Sequence, residues 1–184
     1  MATLTTKSNI PIDVTDDELK LWFQFQKFYS REAWALDQRR YHDWLEMFTE
    51  DTHYFMPRRK NVRFKELDRE VTGEDDLAAI FDENKTIMRI RVERLETGTA
   101  WAEDPPSRTR HLITNLEVEP RANGEVKART AFLVYRSHLE TEETLYAGGR
   151  EDTLRHVDGK WKIAKRVVVL DANVIMAKNL SVFF

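Results

Sequence analysis

The sequence predicts an α+β fold, with helices first and an antiparallel sheet second. Three observations carry this. Apolar residues recur at helical spacing through the first half of the chain. Four later segments, 109–119, 126–140, 143–157 and 160–172, are rich in Val, Leu, Thr, Phe and Tyr. Short connectors separate them, at Pro120 to Gly124, Glu140 to Glu143 and Asp158-Gly159. Connectors this short join antiparallel neighbours, because a parallel crossover needs a dozen residues or more. Helices that do not alternate with strands argue against a wound parallel sheet. A chain of 184 residues fits one domain, here expected over 15–184 behind a flexible arm at 1–14.

Thr15 and Glu18 make a capping-box pattern at the start of the first helix. Leu19, Trp22, Phe23 and Tyr29 can share one face of it, and Leu21, Phe25 and Phe28 another. A helix resting only on its own domain needs one apolar stripe, so two stripes predict burial on two sides. Tyr41, Trp44, Leu45 and Phe48 follow at i, i+3, i+4 and i+7 as a second helix. His53 to Met56 reads as a strand ended by Pro57, and the basic run from Arg58 to Lys65 as a solvated loop. Gly73-Glu74-Asp75-Asp76 resembles a further helix start, with Leu77, Ile80, Phe81, Asn84 and Met88 at helical spacing. From Met88 to Leu95 two patterns compete: Met88, Ile90 and Val92 alternate with Arg89 and Arg91 as in a strand, while Met88, Val92 and Leu95 fit a helix, which is the reading preferred. Pro105-Pro106 makes 97–108 a loop.

The sheet segments carry a physical surplus. The third alternates, with Arg150, Glu151 and Asp152 read as breaking up its apolar residues. Ala131 to Tyr135 and Val167 to Leu170, however, are continuous apolar runs. A sheet with one face in water alternates, so both faces of these strands are expected to leave water. Helices cover one face. Strong curling of the sheet or a second protein chain must cover the other, and the second chain is the sharper reading.

Composition excludes much chemistry. Lys plus Arg total 29 against 32 Asp plus Glu, a net charge of −3, which lacks the basic excess of a nucleic-acid protein. The absence of cysteine excludes disulfides, zinc–thiolate sites, iron–sulfur clusters and Cys nucleophiles. No Gly-x-Gly-x-x-Gly, Gly-x-x-x-x-Gly-Lys or Gly-x-Ser-x-Gly occurs. The five histidines, at 42, 53, 111, 138 and 156, form no close pair, and no metal site is expected. No stretch is long and apolar enough to span a bilayer, and the first 14 residues lack a signal-peptide core; the cytoplasm is the expected location.

One constellation is a candidate for acid–base work. His111 opens a long strand, Asp37 and Tyr41 lie between the first two helices, and Asp51 with Tyr54 leads into the first strand. Helices capping a curved sheet bring such groups into one cone, where burial tunes their pKa values. The simpler account is preferred: His111 bonds within the sheet, the aspartates cap turns and the tyrosines pack. The five tryptophans, at 22, 34, 44, 101 and 161, are likewise read as core or interface.

Five stretches stand out together: Tyr29-Ser30-Arg31-Glu32-Ala33, Leu36 to Tyr41 leading to Trp44-Leu45, Trp101 to His111 followed by Asn115, Gly148-Gly149-Arg150-Glu151-Asp152-Thr153-Leu154-Arg155, and the ending Lys178 to Phe184. In this order they resemble the small (β) subunit of bacterial aromatic-ring-hydroxylating dioxygenases, in the biphenyl, toluene, benzene and cumene branch. The resemblance implies a strongly curved sheet packed on helices, the cone of nuclear transport factor 2, ketosteroid isomerase and scytalone dehydratase. It also implies a partner α subunit that carries a Rieske 2Fe-2S cluster and a mononuclear non-haem iron. An α3β3 hexamer containing other β subunits follows, with ferredoxin and a flavin reductase acting indirectly. This chain would then hold no cofactor, metal or catalytic residue and would be structural. The alternative is a stand-alone isomerase, dehydratase or cyclase using His111 with Asp37 or Tyr41; a further one is a free binding module for small apolar ligands. Trp101 to Pro106 and Phe183-Phe184 are the expected exposed interface segments.

Overall fold

The computed structural model describes residues 14–74, 79–97 and 103–184; apart from Val14, the expected arm lies outside them. Helix α1 (Asp16–Asp37) starts on the anticipated capping box. Thr15 Oγ1 accepts the Glu18 N–H at 3.3 Å, and the Glu18 carboxylate accepts the Thr15 N–H at 2.8 Å. These two bonds satisfy donors that a helix start otherwise leaves open. The helix buries Phe25, Tyr29, Glu32, Ala35 and Leu36. Tyr29 thus belongs to the inward stripe with Phe25. Leu19, Trp22 and Phe23 stay exposed, so the second stripe finds little cover among the described residues.

Helix α2 (Tyr41–Leu45) is one turn long, shorter than its spacing predicts. Phe48 instead opens strand β1 (Phe48–Met56), which begins well before the expected His53. Trp44 and Phe48 still meet edge-on at 4.9 Å, so the apolar spacing records a contact across the helix–strand junction. A loop follows, with a 3-10 turn at Phe64–Arg69. The helix expected from Gly73 does not form among the described residues. Phe81–Asn84 is strand β2, paired antiparallel with β1, and helix α3 (Lys85–Glu96) begins only afterwards. Asn84 caps α3 by accepting the Ile87 N–H at 3.0 Å. The helical count through Ile80 and Met88 had therefore joined a strand to a helix.

Strands β3 (Arg108–Pro120), β4 (Val126–His138), β5 (Glu142–Val157) and β6 (Lys160–Leu170) form the expected meander. The six-stranded sheet runs β2-β1-β6-β5-β4-β3, and its one departure from an antiparallel plan is the parallel β1–β6 pair. Asp158 and Gly159, at φ 49° and 75°, give the β5–β6 hairpin its tight left-handed turn. Helices α1 and α3 cover the concave face, where Phe132, Val134, Leu154, Val168 and Leu170 are buried against Phe25, Trp44 and Met88. Each such side chain contributes about 1.5–3 kcal/mol on leaving water.

Two expectations about the surface change. Arg150 and Asp152 share their strand face with buried Tyr146 and Leu154, so they point into the core and only Glu151 faces outward. Phe183 and Phe184 are 3% and 1% exposed. The final segment folds back into the cone, where Phe183 stacks on Trp44 at 4.4 Å and Phe184 meets Phe132 at 5.3 Å. They form core, not an exposed interface. On the convex face Leu112, Leu133, Tyr135 and Leu145 remain exposed, and this is where the apolar surplus of the sequence lies.

Candidate functional site

The cone interior holds the predicted constellation in part. Asp37 ends α1 and His111 lies near the start of β3, which packs against that helix. The imidazole Nδ1 lies 2.6 Å from Asp37 Oδ1, and the His111 main-chain N–H donates to the same carboxylate at 3.0 Å. Arg110 adds a contact at 3.2 Å. The other ring nitrogen, Nε2, faces the Phe183 carbonyl at 2.9 Å. Both ring nitrogens are thus engaged, one by a carboxylate and one by a carbonyl. Neither nitrogen is left for an outside molecule.

Tyr41 sits nearby with its ring 5.9 Å from that of Phe183, and burial raises its phenol pKa. Asp51 is elsewhere: it is exposed and forms an ion pair with Arg155 at 2.9 Å. Tyr54 is fully buried. Its hydroxyl donates to the Phe184 carbonyl at 3.2 Å and accepts the Phe184 N–H at 3.1 Å. Among Tyr41, Glu103, Ser107, His111, Arg136 and Phe183 a space of only about 20 Å³ remains. That is room for about one water, not for an organic substrate. Glu103 closes this end by accepting from Arg136 at 2.6 Å and from the Ser107 N–H at 3.1 Å.

The interior also contains a charged network that the sequence reading missed. Glu32 of α1, Arg150 and Asp152 of β5, and Arg166 of β6 are all buried. Arg166 forks onto Asp152 at 2.8 and 2.7 Å, reaches both oxygens of Glu32, and donates to the Phe184 carbonyl at 2.8 Å. Arg150 donates to Glu32 at 3.1 Å, Trp44 Nε1 to Glu32 at 3.1 Å, and the Tyr29 hydroxyl to Asp152 at 2.9 Å. Two cations face two anions, so the group is neutral as a whole. Burial alone would raise the Glu32 pKa, but Arg166 and Arg150 outweigh it and hold it at about 2. Burial would lower that of Arg166, and Asp152 and Glu32 raise it instead. The one available signal was parity, since Arg150 and Asp152 alternate with the apolar inward positions of β5.

These groups are spent on one another and on the main chain of Phe183 and Phe184, apart from Arg150 Nη2, which is buried with no hydrogen-bond partner among the described residues. Among the described residues no group of three or more His, Cys, Asp or Glu is placed to hold a metal ion. A Rieske centre requires two cysteines, and the chain has none; its residues do not fit that cluster.

The sequence model of a family described as the ring hydroxylating beta subunit matches residues 31–177. The beta subunit of biphenyl 2,3-dioxygenase from Rhodococcus jostii (strain RHA1) is 37% identical over 167 residues, covering 89% of each chain. The beta subunit of benzene 1,2-dioxygenase from Pseudomonas putida is 38% identical over 168 residues, covering 90% of this chain and 89% of its own. Among solved structures, a chain of naphthalene 1,2-dioxygenase superposes with a TM-score of 0.79 at 21% identity, over 94% of this chain and 89% of that one. With the family model covering most of the sequence and the relatives aligned nearly end to end, the chain belongs to the ring hydroxylating beta subunit family.

Proposed function

We propose that this chain is the structural subunit of a terminal oxygenase that adds both atoms of O2 to an aromatic hydrocarbon such as biphenyl, toluene, benzene or cumene, giving a cis-dihydrodiol. In this reading it assembles with an α subunit as an α3β3 hexamer in the cytoplasm. The α subunit supplies the Rieske cluster and the mononuclear iron, and ferredoxin and a flavin reductase deliver electrons from NADH. The hydrocarbon class comes from the named relatives, which are biphenyl and benzene dioxygenase subunits.

One observation carries the structural role: the cone is full and the outside is apolar. Phe183 and Phe184 occupy the interior. Meanwhile Leu19, Trp22, Phe23 and Trp34 on α1, and Leu112, Leu133, Tyr135 and Leu145 on the sheet, face outward. Constitutive interfaces resemble a core cut in half. The alternative, a stand-alone cone enzyme using His111, Asp37 and Tyr41, lacks a vacant ring nitrogen, although an open cleft of about 450 Å³ between α1 and β3 is lined in part by His111 and Asp37. Trp101, the other interface candidate, lies outside the described residues; Asp104 to Pro106 beside it are exposed.

Co-expression with the α subunit encoded by the same organism tests the proposal. The chain is expected to co-elute with α in size-exclusion chromatography, to be inert alone, and to support NADH-dependent dihydrodiol formation only in the complex. Turnover by the purified chain alone, abolished by His111→Ala, would establish the rival.

A further inference from the structure

Where α1, α2 and the β5–β6 hairpin meet, an open cleft of about 980 Å³ remains. That volume lies within the range of small-molecule pockets. Its floor is apolar and rich in rings: Phe28 and Trp161, with Ala35, Met47 and Val157. Both rings are fixed from within. Trp161 lies 5.3 Å from buried Phe25 and meets His156 nearly edge-on at 5.2 Å. Phe28 stands edge-on to Phe25 at 6.2 Å and to Tyr29 at 5.4 Å. Each is half-buried and still lines the cleft, so two immobilised aromatic surfaces meet water there.

The walls carry the opposite sign from the chain as a whole. Lys27 and Arg31 of α1, Arg40 before α2, and Lys160 and Lys162 of the hairpin are set against Asp43, Glu46 and Asp158. Five cations face three carboxylates in a chain whose net charge is −3. The carboxylates do not serve all the cations. Asp43 pairs with Arg40 at 2.8 Å, and Glu46 reaches Lys162 only at 3.8 Å. Arg31 and Lys160 have no ion pair among the described residues, and Lys27 rests over the Phe23 ring at 5.6 Å. Exposed cations elsewhere take acidic partners, as Arg155 does with Asp51 and Glu125, and Lys165 with Glu74. Like charges gathered round an apolar floor repel one another, and a cleft with low-dielectric walls concentrates their field. An anion relieves that repulsion.

We infer that this cleft binds an aromatic carboxylate, its ring lying on Phe28 and Trp161 and its carboxylate held by Arg31 and Lys160. Each half of such a ligand answers one half of the cleft. A planar ring stacks on aromatic surfaces that are already fixed, so little side-chain freedom is lost on binding. The Arg31 guanidinium offers paired N–H groups that match the two oxygens of a carboxylate, and the Lys160 ammonium adds a point charge. A neutral hydrocarbon would leave the cations unmet, and an inorganic anion would leave the rings in water. The cleft is separate from the His111–Asp37 end of the cone, with which it shares no lining residue. It therefore gives the chain a small-molecule site of its own, independent of the subunit reading.

Isothermal titration calorimetry of the purified full chain with 2-naphthoate tests this. Wild type is expected to show one saturable site. The uncharged twin 2-naphthamide, and inorganic phosphate as an anion without a ring, should each bind at least about tenfold more weakly. Arg31→Gln with Lys160→Gln should weaken naphthoate binding by a similar factor. Both positions are exposed, so circular dichroism should show a folded variant. Arg63→Gln with Lys65→Gln removes two exposed cations outside the cleft and should leave the affinity unchanged. In proton–nitrogen NMR spectra the Trp161 indole signal, assigned with Trp161→Phe, should move during the titration while that of fully buried Trp44 stays in place. Absence of saturable binding at millimolar naphthoate would overturn the inference. So would equal affinity for the amide or for phosphate, a folded Arg31, Lys160 double variant that binds like wild type, an equal loss in the Arg63, Lys65 control, or binding that leaves the Trp161 signal unmoved.

Discussion

Arg166 holds Asp152 through two parallel hydrogen bonds, at 2.8 and 2.7 Å, in a part of the core where both side chains are inaccessible to water. The pair ties β6 to β5, while the same guanidinium reaches Glu32 on α1 and the carbonyl of Phe184. One cation therefore joins two strands, the first helix and the final segment. Removing it would leave the buried Asp152 carboxylate without a cation and Glu32 with Arg150 alone. Arg166→Ala is expected to lower unfolding free energy by about 3–5 kcal/mol, the range for breaking a buried pair from one side. The double variant Arg166→Ala, Asp152→Ala should cost less than the sum of the two singles, because the second change removes a charge already unpaired. Urea denaturation of the three variants measures both.

The same network sets an acid limit. Glu32 has an ordinary value of 4.5 and is held at about 2 in the folded chain. The folded value is the lower one, so the unfolded chain takes up the proton first as pH falls. The contribution is fully present above pH 4.5 and is lost between 4.5 and about 2. At neutral pH it amounts to roughly 3 kcal/mol, from a shift of about 2.5 units. Denaturation midpoints between pH 7 and 2 should show the wild-type curve falling more steeply below pH 4.5 than that of Glu32→Gln, which is less stable at neutrality.

What the sequence made legible is what local chemistry decides. The Thr15–Glu18 box and the Asp158-Gly159 turn are decided by neighbours in sequence, and both lie where expected. Phe81–Asn84 was misread because a four-residue strand owes its state to a partner, here β1, about 30 positions earlier. Arg150 and Asp152 read as solvent-facing because a charge is ordinarily solvated, and only a matching charge on another element makes burial tolerable. Asp37 and His111 were recognised as candidates by type. Their contact across 74 positions, and the carbonyl that takes the second nitrogen, are tertiary facts. Phe183 and Phe184 were placed outside for the same reason: nothing in a terminal apolar pair records the cone built to receive it.

His111 is expected to matter for stability and not for chemistry. His111→Ala leaves the Asp37 carboxylate with the main-chain N–H and Arg110, and leaves the Phe183 carbonyl without this partner. A lost buried bond to a charged group and one orphaned acceptor should together cost about 2–4 kcal/mol. Thermal unfolding should shift down, and Trp44 fluorescence should change as Phe183 loosens from its 4.4 Å stack. Dihydrodiol formation per mole of correctly assembled oxygenase should stay within about twofold of wild type. A loss of turnover of a hundredfold or more in an intact complex would instead give the imidazole a part in the reaction.

Gly148 and Gly149 should respond oppositely to the same methyl group. Neither has a positive φ among those of the chain, so conformational freedom is not the issue and space is. Gly148 lies on the concave face of β5, where a Cβ would stand 2.3 Å from the Val169 carbonyl oxygen, 2.8 Å from the Phe132 ring and 3.1 Å from the Leu170 Cα. The nearest and third of these atoms are backbone of the adjacent strand and cannot rotate away. Relief requires parting β5 from β6 at Leu170, so the penalty should reach or exceed the usual range of about 1–3 kcal/mol for an overfilled core. Gly149 faces the convex side, where the nearest atom to an added Cβ is the Thr130 carbonyl oxygen at 3.8 Å, an ordinary contact. Gly149→Ala should therefore fold within about 0.5 kcal/mol of wild type, or gain slightly from a stiffer unfolded chain. Urea midpoints for the two variants, with far-ultraviolet circular dichroism to score folding, decide it. A Gly148→Ala chain as stable as Gly149→Ala would mean that the β5–β6 spacing at Val169 is wider than the structure gives.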